Sequence, residues 1–209
     1  MKNLFKQPVV ILGNGVFPNH EMPLDILSSA GTVICTDGSA NYLKSLNLKP
    51  HIIIGDLDSL KQKNSYEGLI IEDSSQNNTD LEKAIEFTII NFVKKITILG
   101  AVGNRDDMSY ANIQMLFKYF GKIDIEIITD HFSIECMTDK KVFTSFKGQR
   151  ISLAAKEHNC IITTSNLKYN INSKIDPTIS LISNESLGNQ FSLSSSSPLI
   201  VFRGHSNNL

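Results

Sequence analysis

The 209-residue chain contains no tryptophan and only three cysteines, Cys35, Cys136 and Cys160, which are widely spaced and form no C-x-x-C pair. This argues against a disulfide framework and a cysteine zinc cluster, and predicts thiols that behave as small apolar side chains in a reducing compartment. Neither sign of charge dominates: 20 Lys and Arg stand against 21 Asp and Glu, scattered rather than clustered. A formal net charge of −1 gives no electrostatic footprint for nucleic acid or an anionic membrane. Long apolar runs are missing as well. The run at residues 9–12 ends at Gly13, too short for a signal-peptide core or a membrane span, so a soluble, cytoplasmic protein is expected. The five histidines lack metal-ligand spacing, and there are no internal repeats. The length suffices for a sizeable core in one large domain or two small ones.

What is present centres on His51-Ile52-Ile53-Ile54-Gly55-Asp56-Leu57-Asp58-Ser59. An uninterrupted β-branched run predicts a buried parallel strand at residues 52–54, with two carboxylates just beyond its carboxyl end, where open α/β sheets bind ligands. Extended backbone would point Asp56 and Asp58 the same way and turn Leu57 inward. Two like charges that close repel unless a cation lies between them, and a hard divalent ion carrying phosphates suits oxygen ligands. An acidic cap on a strand would use the same residues, so the motif alone does not decide.

The rest of the first half alternates strand and helix. Strands are expected at residues 9–12, 32–36, 68–72, 96–100 and 123–129, and helices at 24–30, 40–46 and 109–119. The glycines of Gly13-Asn14-Gly15 permit close approach of backbone to a ligand, although no G-x-G-x-x-G fingerprint follows. Thr79 and Glu82 form a capping box that opens an amphipathic helix through Ile85, Ile89 and Phe92, with Asp80 in its first turn. That position favours a carboxylate through the helix dipole alone. Acids thus stand at three strand ends: Asp37, Asp56 with Asp58, and Asp106 with Asp107. The alternation predicts a parallel sheet covered on both faces.

Beyond about residue 130 the pattern changes to short strands at 134–137, 141–146, 150–155, 160–164, 178–183, 191–194 and 199–202. Such a series predicts an antiparallel sandwich or barrel. The run Ser194-Ser195-Ser196-Ser197 reads as a surface hairpin turn before the final strand.

Five segments occur in a telling order: Asp37-Gly38-Ser39-Ala40-Asn41, Gly55-Asp56-Leu57-Asp58-Ser59, Asn78-Thr79-Asp80-Leu81-Glu82-Lys83-Ala84, Gly100-Ala101-Val102-Gly103-Asn104-Arg105-Asp106-Asp107 and Ser183-Asn184-Glu185. In this order the chain resembles the thiamine pyrophosphokinases over nearly its whole length. The resemblance implies an α/β fold in two parts, a Rossmann-like parallel-sheet domain (residues 1–133) that binds ATP and Mg²⁺, and an antiparallel β-sandwich domain (134–209) that binds thiamine. It implies transfer of pyrophosphate from ATP to the thiamine hydroxyl, giving thiamine diphosphate and AMP, in a homodimer with active sites between subunits. By the same likeness Asp37, Asp56, Asp58 and Asp80 would hold Mg²⁺, and Asp37, Asn41, Gly55, Thr79, Arg105 and Asp107 would surround the nucleotide. Ser183, Asn184 and Tyr169 would meet thiamine, and Asp56, Asp58, Asp80 and Arg105 would carry the chemistry.

The local chemistry agrees with that likeness. Attack at the β-phosphorus needs negative charge neutralised on both sides of the breaking bond, and the fork of Arg105 suits phosphate oxygens, although an ion pair with Asp106 or Asp107 would also occupy it. Asp80 fits either a metal ligand or an acceptor of the hydroxyl proton. Asn184 has the donor and acceptor an aminopyrimidine edge requires, but equally suits a turn between strands. Two departures from the family pattern stand out: Met108 where a histidine is frequent, and Asn104 where glycine or lysine is usual. Without tryptophan, any stacking partner for thiamine must be Tyr or Phe. A non-catalytic nucleotide or thiamine sensor of the same fold, or another Mg²⁺-dependent nucleotidyl or glycosyl transferase, would share these residues.

Overall fold

A computed structural model describes residues 4–43, 46–60, 66–175 and 181–205. The fold is mixed α/β, and the chain divides into two compact units: Met1–Met115 with Gly121–Asp130, and Leu116–Phe120 with His131–Leu209. Among the described residues no helix is long and apolar enough to cross a membrane.

Six parallel strands build the first unit: β1 (Val9–Leu12), β2 (Thr32–Thr36), β3 (Ile52–Gly55), β4 (Leu69–Glu72), β5 (Lys95–Leu99) and β6 (Asp124–Ile128). Their spatial order is β6-β5-β1-β2-β3-β4, so β1 lies between β5 and β2. Every residue of β1, β2 and β3 is buried, whereas β4 at the edge has exposed ends, Leu69 and Glu72, and a half-buried middle. Continuous apolar runs are what strands covered on both faces require. Val10, Leu12, Val33, Cys35, Ile53 and Leu57 meet in one core cluster. Truncating Ile53 to Ala would cost about 2–5 kcal/mol there.

The helices are α1 (Glu21–Ser28), α2 (Ala40–Leu43) after a 3₁₀ turn at Asp37–Ser39, α3 (Asp80–Ile90) and α4 (Asp106–Lys118). Helix α1 begins three residues before the first apolar residue expected to open it. His20 caps it, its Nδ1 accepting from the Met22 N–H at 3.2 Å, and Pro23 falls in the first turn, where a missing N–H costs nothing. The capping box of α3 is present: Thr79 Oγ1 accepts from the Glu82 N–H at 3.3 Å and Glu82 Oε2 from the Thr79 N–H at 3.2 Å. Of the expected stripe Ile85 is buried and Ile89 half-buried, and the rest of the buried face differs. Leu81, Ala84, Ile85 and Thr88 face inward, while Phe92 lies past the helix end at φ 61° and is 83% exposed. The expected helix over 40–46 includes residues 44 and 45, which lie outside the described residues.

The second unit is antiparallel: β7 (Phe132–Thr144), β8 (Arg150–Ala155), β9 (Cys160–Ser165), β10 (Asn172–Ile175), β11 (Asn184–Glu185) and β12 (Gln190–Gly204). Four expected strands are two long ones. β7 runs through the turn-like Thr138-Asp139-Lys140, with Asp139 at φ 58°, and stays paired with β12 on both sides of it. The serine run is likewise not a hairpin turn. It lies inside β12 at a register irregularity between Ser195 and Leu199, and its hydroxyls replace ladder partners, Ser195 donating to the Ser197 carbonyl and Ser196 accepting from the Ile161 N–H. β12 pairs with β7 along one edge and with β9, then β8, along the other. Side chains of β7, β8, β9 and β12, including Phe143, Leu153, Ile162 and Phe191, share one apolar cluster, and the Phe143 and Phe191 rings stack at 5.0 Å. Of the strand expected at 178–183, residues 178–180 lie outside the described residues.

Candidate functional site

The carboxyl ends of the parallel strands deliver the acids. Asp37 follows β2, Asp56 and Asp58 follow β3, and each of the three offers a carboxylate oxygen within 4.8 Å of the others. Alternating extended backbone is not how this is achieved. Leu57 adopts a left-handed conformation at φ 63° and is buried, and Asp37 stands at φ 39°. Each such non-glycine residue costs on the order of 1–2 kcal/mol, strain that the surrounding core sustains. Leu57 inside is the anchor that turns its two neighbours toward Asp37.

Three bonds order the cluster. The Ser59 N–H donates to Asp37 Oδ2 at 3.2 Å, the Ser59 hydroxyl to Asp58 Oδ1 at 2.9 Å, and the Asp58 N–H to Asp56 Oδ1 at 3.4 Å. Asp37 Oδ1 is buried without a hydrogen-bond partner. Burial pushes the Asp37 carboxyl above the usual carboxylate range, hydrogen bonds from Ser59 and the Gly38 N–H oppose this, and the Asp58 charge adds to the rise. An orphaned acceptor beside two more carboxylates is what a bound cation would satisfy, and an all-oxygen donor set fits a hard ion such as Mg²⁺.

Asp80 adjoins this cluster across Gly55. A Cβ at Gly55 would stand 3.0 Å from Asp37 Cβ and 3.1 Å from Asp80 Cγ and Oδ2, so only glycine lets these carboxylates close in. Asp80 Oδ1 accepts from Lys83 Nζ at 3.0 Å. Thr79 spends its side chain on the helix cap.

A cleft of about 220 Å³ opens beside Asp80, lined also by Gly13, Gly15, Thr79, Arg105 and Asn112. Its floor is two loops zipped together: the Gly15 N–H donates to the Gly100 carbonyl at 2.8 Å and the Val16 N–H to the Val102 carbonyl at 2.9 Å. A Cβ at Gly15 would fall 2.5 Å from both carbonyls. The glycines of the first loop therefore admit the chain's own backbone. Asn104, at φ 62°, occupies a conformation that asparagine tolerates. Met108 lines the cleft in place of the expected polar donor.

Other expected site residues are engaged elsewhere. Arg105 forms a two-pronged pair with Asp107, Nε to Oδ1 at 3.1 Å and Nη2 to Oδ2 at 2.5 Å, both side chains about two-thirds exposed. The pair raises the guanidinium pKa and holds the Asp107 carboxyl below its usual range. Asn41 donates to the Ser59 carbonyl at 3.1 Å and accepts from the Tyr66 hydroxyl at 3.1 Å, bracing the loop that carries Asp58. In the second unit the buried Asn184 clamps Tyr169: Oδ1 accepts from its N–H at 3.1 Å and Nδ2 donates to its carbonyl at 2.7 Å. The Asn184 amide is thus largely spent on backbone. Tyr169 lies in a loop, and its side chain is exposed. The Ser183 N–H donates to the Ser152 hydroxyl at 3.0 Å.

Sequence reasoning missed two residues. Lys83 is buried between Leu81 and Ala84, and its place three residues after Asp80 on one helix was the available signal. Asn112 donates to the Ala101 carbonyl at 2.6 Å and has a buried, unpartnered Oδ1, for which no signal existed.

Comparison with known proteins follows this geometry. Residues 24–129 match the family model of the thiamin pyrophosphokinase catalytic domain. The chain is similar to thiamine pyrophosphokinase 1 of Oryza sativa subsp. japonica, with 31% identity over 128 residues, spanning 48% of this chain and 48% of that protein. The match thus covers about half the length of the rice protein. In fold it is similar to the Bacillus subtilis thiamine pyrophosphokinase (TM-score 0.80, 22% identity, 95% of this chain and 99% of that one) and to the Candida albicans enzyme (TM-score 0.83, 19% identity, 94% and 88%).

Proposed function

The chain belongs to the thiamin pyrophosphokinase family, and we propose on that footing that it is a thiamine diphosphokinase, moving the terminal pyrophosphoryl group of ATP to the hydroxyethyl oxygen of thiamine. The products are thiamine diphosphate and AMP. The observation that carries this reading is the buried, unpartnered Asp37 oxygen within a group of three carboxylates, with Asp80 beside them at the mouth of a cleft.

Residues 1–133 serve as a Rossmann-like ATP- and Mg²⁺-binding domain and residues 134–209 as a β-sandwich thiamine-binding domain. Asp37, Asp56, Asp58 and Asp80 would hold Mg²⁺, which supplies positive charge to the phosphate oxygens as the β-phosphorus changes partners. With that ion between them, the acids would hold the phosphate chain near the cleft that Asp80 lines. Arg105 spends two of its five N–H donors on Asp107 and offers the rest to phosphate. Asn41 and Gly55 act by shape, one bracing the Asp58 loop and the other leaving room for the acids to converge. Thr79 sets the start of α3, and so the place of Asp80. For thiamine, the cationic thiazolium is drawn to the acidic site, Tyr169 offers an aromatic face and Ser183 a hydroxyl, and Asn184 positions Tyr169. The working form is a cytoplasmic homodimer.

The non-catalytic sensor gains no support from the site, since the departure at Met108 leaves every acid in place. Incubating the protein with thiamine, ATP and MgCl₂ and separating the products by ion-pair chromatography tests the proposal: AMP and thiamine diphosphate should appear in equal amounts and vanish with EDTA. ATP left intact in the presence of thiamine and Mg²⁺ would overturn it.

A further inference from the structure

Lysine is rarely buried unless it is paired, and the Lys83 side chain is 5% exposed. Its Nζ donates to Asp80 Oδ1 at 3.0 Å and to the Asp73 carbonyl at 2.7 Å. Asp73 in turn donates its N–H to the Gly55 carbonyl at 2.8 Å. These bonds link α3 through the residue after β4 to the end of β3, and so tie the start of α3 to the residue that precedes Asp56. At that start the two oxygens of Asp80 differ. Oδ1 is drawn to Lys83, whereas Oδ2 is the oxygen that approaches Gly55, at the same Cβ position that Asp37 Cβ crowds.

We propose that Lys83 is a positioning residue that holds Asp80 with Oδ1 drawn back and Oδ2 presented to the carboxylate cluster. An apolar side chain of the same length would fill the space but bind neither Asp80 nor the Asp73 carbonyl. For catalysis the inference rests on the metal-dependent reaction proposed above, while the arrangement itself is testable by metal binding alone.

The experiment is a double-mutant cycle with Lys83→Met, Asp80→Asn and the combined variant, each checked by circular dichroism and read first by Mn²⁺ binding through electron paramagnetic resonance. Deleting a cation next to an acidic cluster would by charge alone tighten Mn²⁺ binding. Positioning predicts the opposite: Lys83→Met weakens Mn²⁺ about tenfold, as loss of a ligand's outer partner does, and adds nothing in the Asp80→Asn background. In turnover, kcat should fall roughly 100-fold while KM for ATP moves less than about threefold, and Lys83→Arg should recover part of the loss. Tighter or unchanged Mn²⁺ binding in Lys83→Met, or an equal loss with Asp80 already replaced, overturns the proposal. If the parent binds Mn²⁺ and the cycle behaves as expected but no AMP is released, the kinase reading fails and the role of Lys83 stands. A parent that binds no Mn²⁺ overturns both. Should Lys83→Met not fold, Lys83→Gln, neutral with a single donor group, takes its place.

Discussion

The loop after β3 and the loop after β5 leave the same end of the parallel sheet, and they treat charge in opposite ways. Asp56 and Asp58 converge on the buried Asp37, with no cationic partner among the described residues, held by Ser59 and by the left-handed Leu57. Arg105, near the end of the other loop, is already matched by Asp107 in an exposed two-pronged pair. The first arrangement is preorganised and unsatisfied, the second satisfied and screened by solvent. Only Asp37 of the three acids is buried, Asp56 being half-buried and Asp58 exposed; preorganised charge is worth more where water is excluded, so the group gathered on Asp37 should dominate the chemistry and the basic loop should tune it.

Replacing one member of the acidic group breaks this contrast most severely. Asp56→Asn should lower kcat/KM by roughly 100- to 1,000-fold, the scale of losing a preorganised electrostatic contact, with an unchanged circular dichroism spectrum. Turnover within tenfold of the parent would remove the acidic loop from the mechanism. On the basic side, Arg105→Ala should cost about 100-fold, and Arg105→Lys nearly as much, because an ammonium does not reproduce the fork. Asp107→Ala should cost less than about tenfold, since it removes only the partner of an exposed ion pair. Steady-state kinetics on the three variants ranks them, and a larger loss at Asp107 than at Arg105 would invert their assigned roles.

Gly55→Ala probes the acidic loop without altering charge. A methyl 3.0–3.1 Å from Asp37 and Asp80 must push at least one of them aside, which should cost about 1–3 kcal/mol of stability, as overpacking does. Activity should fall more than denaturant titration of stability alone would suggest. The smallest effect concerns pH. Burial raises the Asp37 pKa above its unfolded value, so the folded protein holds a proton there more tightly than the unfolded chain does. In the metal-free protein stability therefore declines as pH rises from the ordinary carboxylate range through the raised value, and stays lower above it. Asp37→Asn removes that decline and lets an amide donate to a neighbouring carboxylate. At pH 7 without metal it should raise Tm by about 2–4 °C, the equivalent of about 1 kcal/mol in a chain of this size, and the gain should shrink toward pH 4. A gain that persists undiminished at low pH would assign it to packing instead.

Much of this was legible in the residues. Runs such as Ile52-Ile53-Ile54 announced buried parallel strands, and the pairing of Thr79 with Glu82 announced the start of α3, because periodicity and capping are local properties. The clustering of Asp37 with Asp56 and Asp58 followed from strand ends sharing one side of the sheet. Less local features escaped. Leu57 in a left-handed conformation could not be foreseen, since leucine has no preference for it and only the core beneath compels it. The serines of β12 looked like a turn because their role depends on partners 35 residues away in the chain, as with Ser196 and Ile161. Asn184 offered the right groups for a pyrimidine, yet it bonds to Tyr169, 15 residues away in the chain, a partnership no local pattern shows.

Strand β12 carries one more implication, for biosynthesis. Because β7, β8 and β9 all pair with it, β8 and β9 in addition to β11 and β10, none can finish pairing before residues 190–204 have emerged from the ribosome. Until then β7, β8 and β9 each keep an open edge.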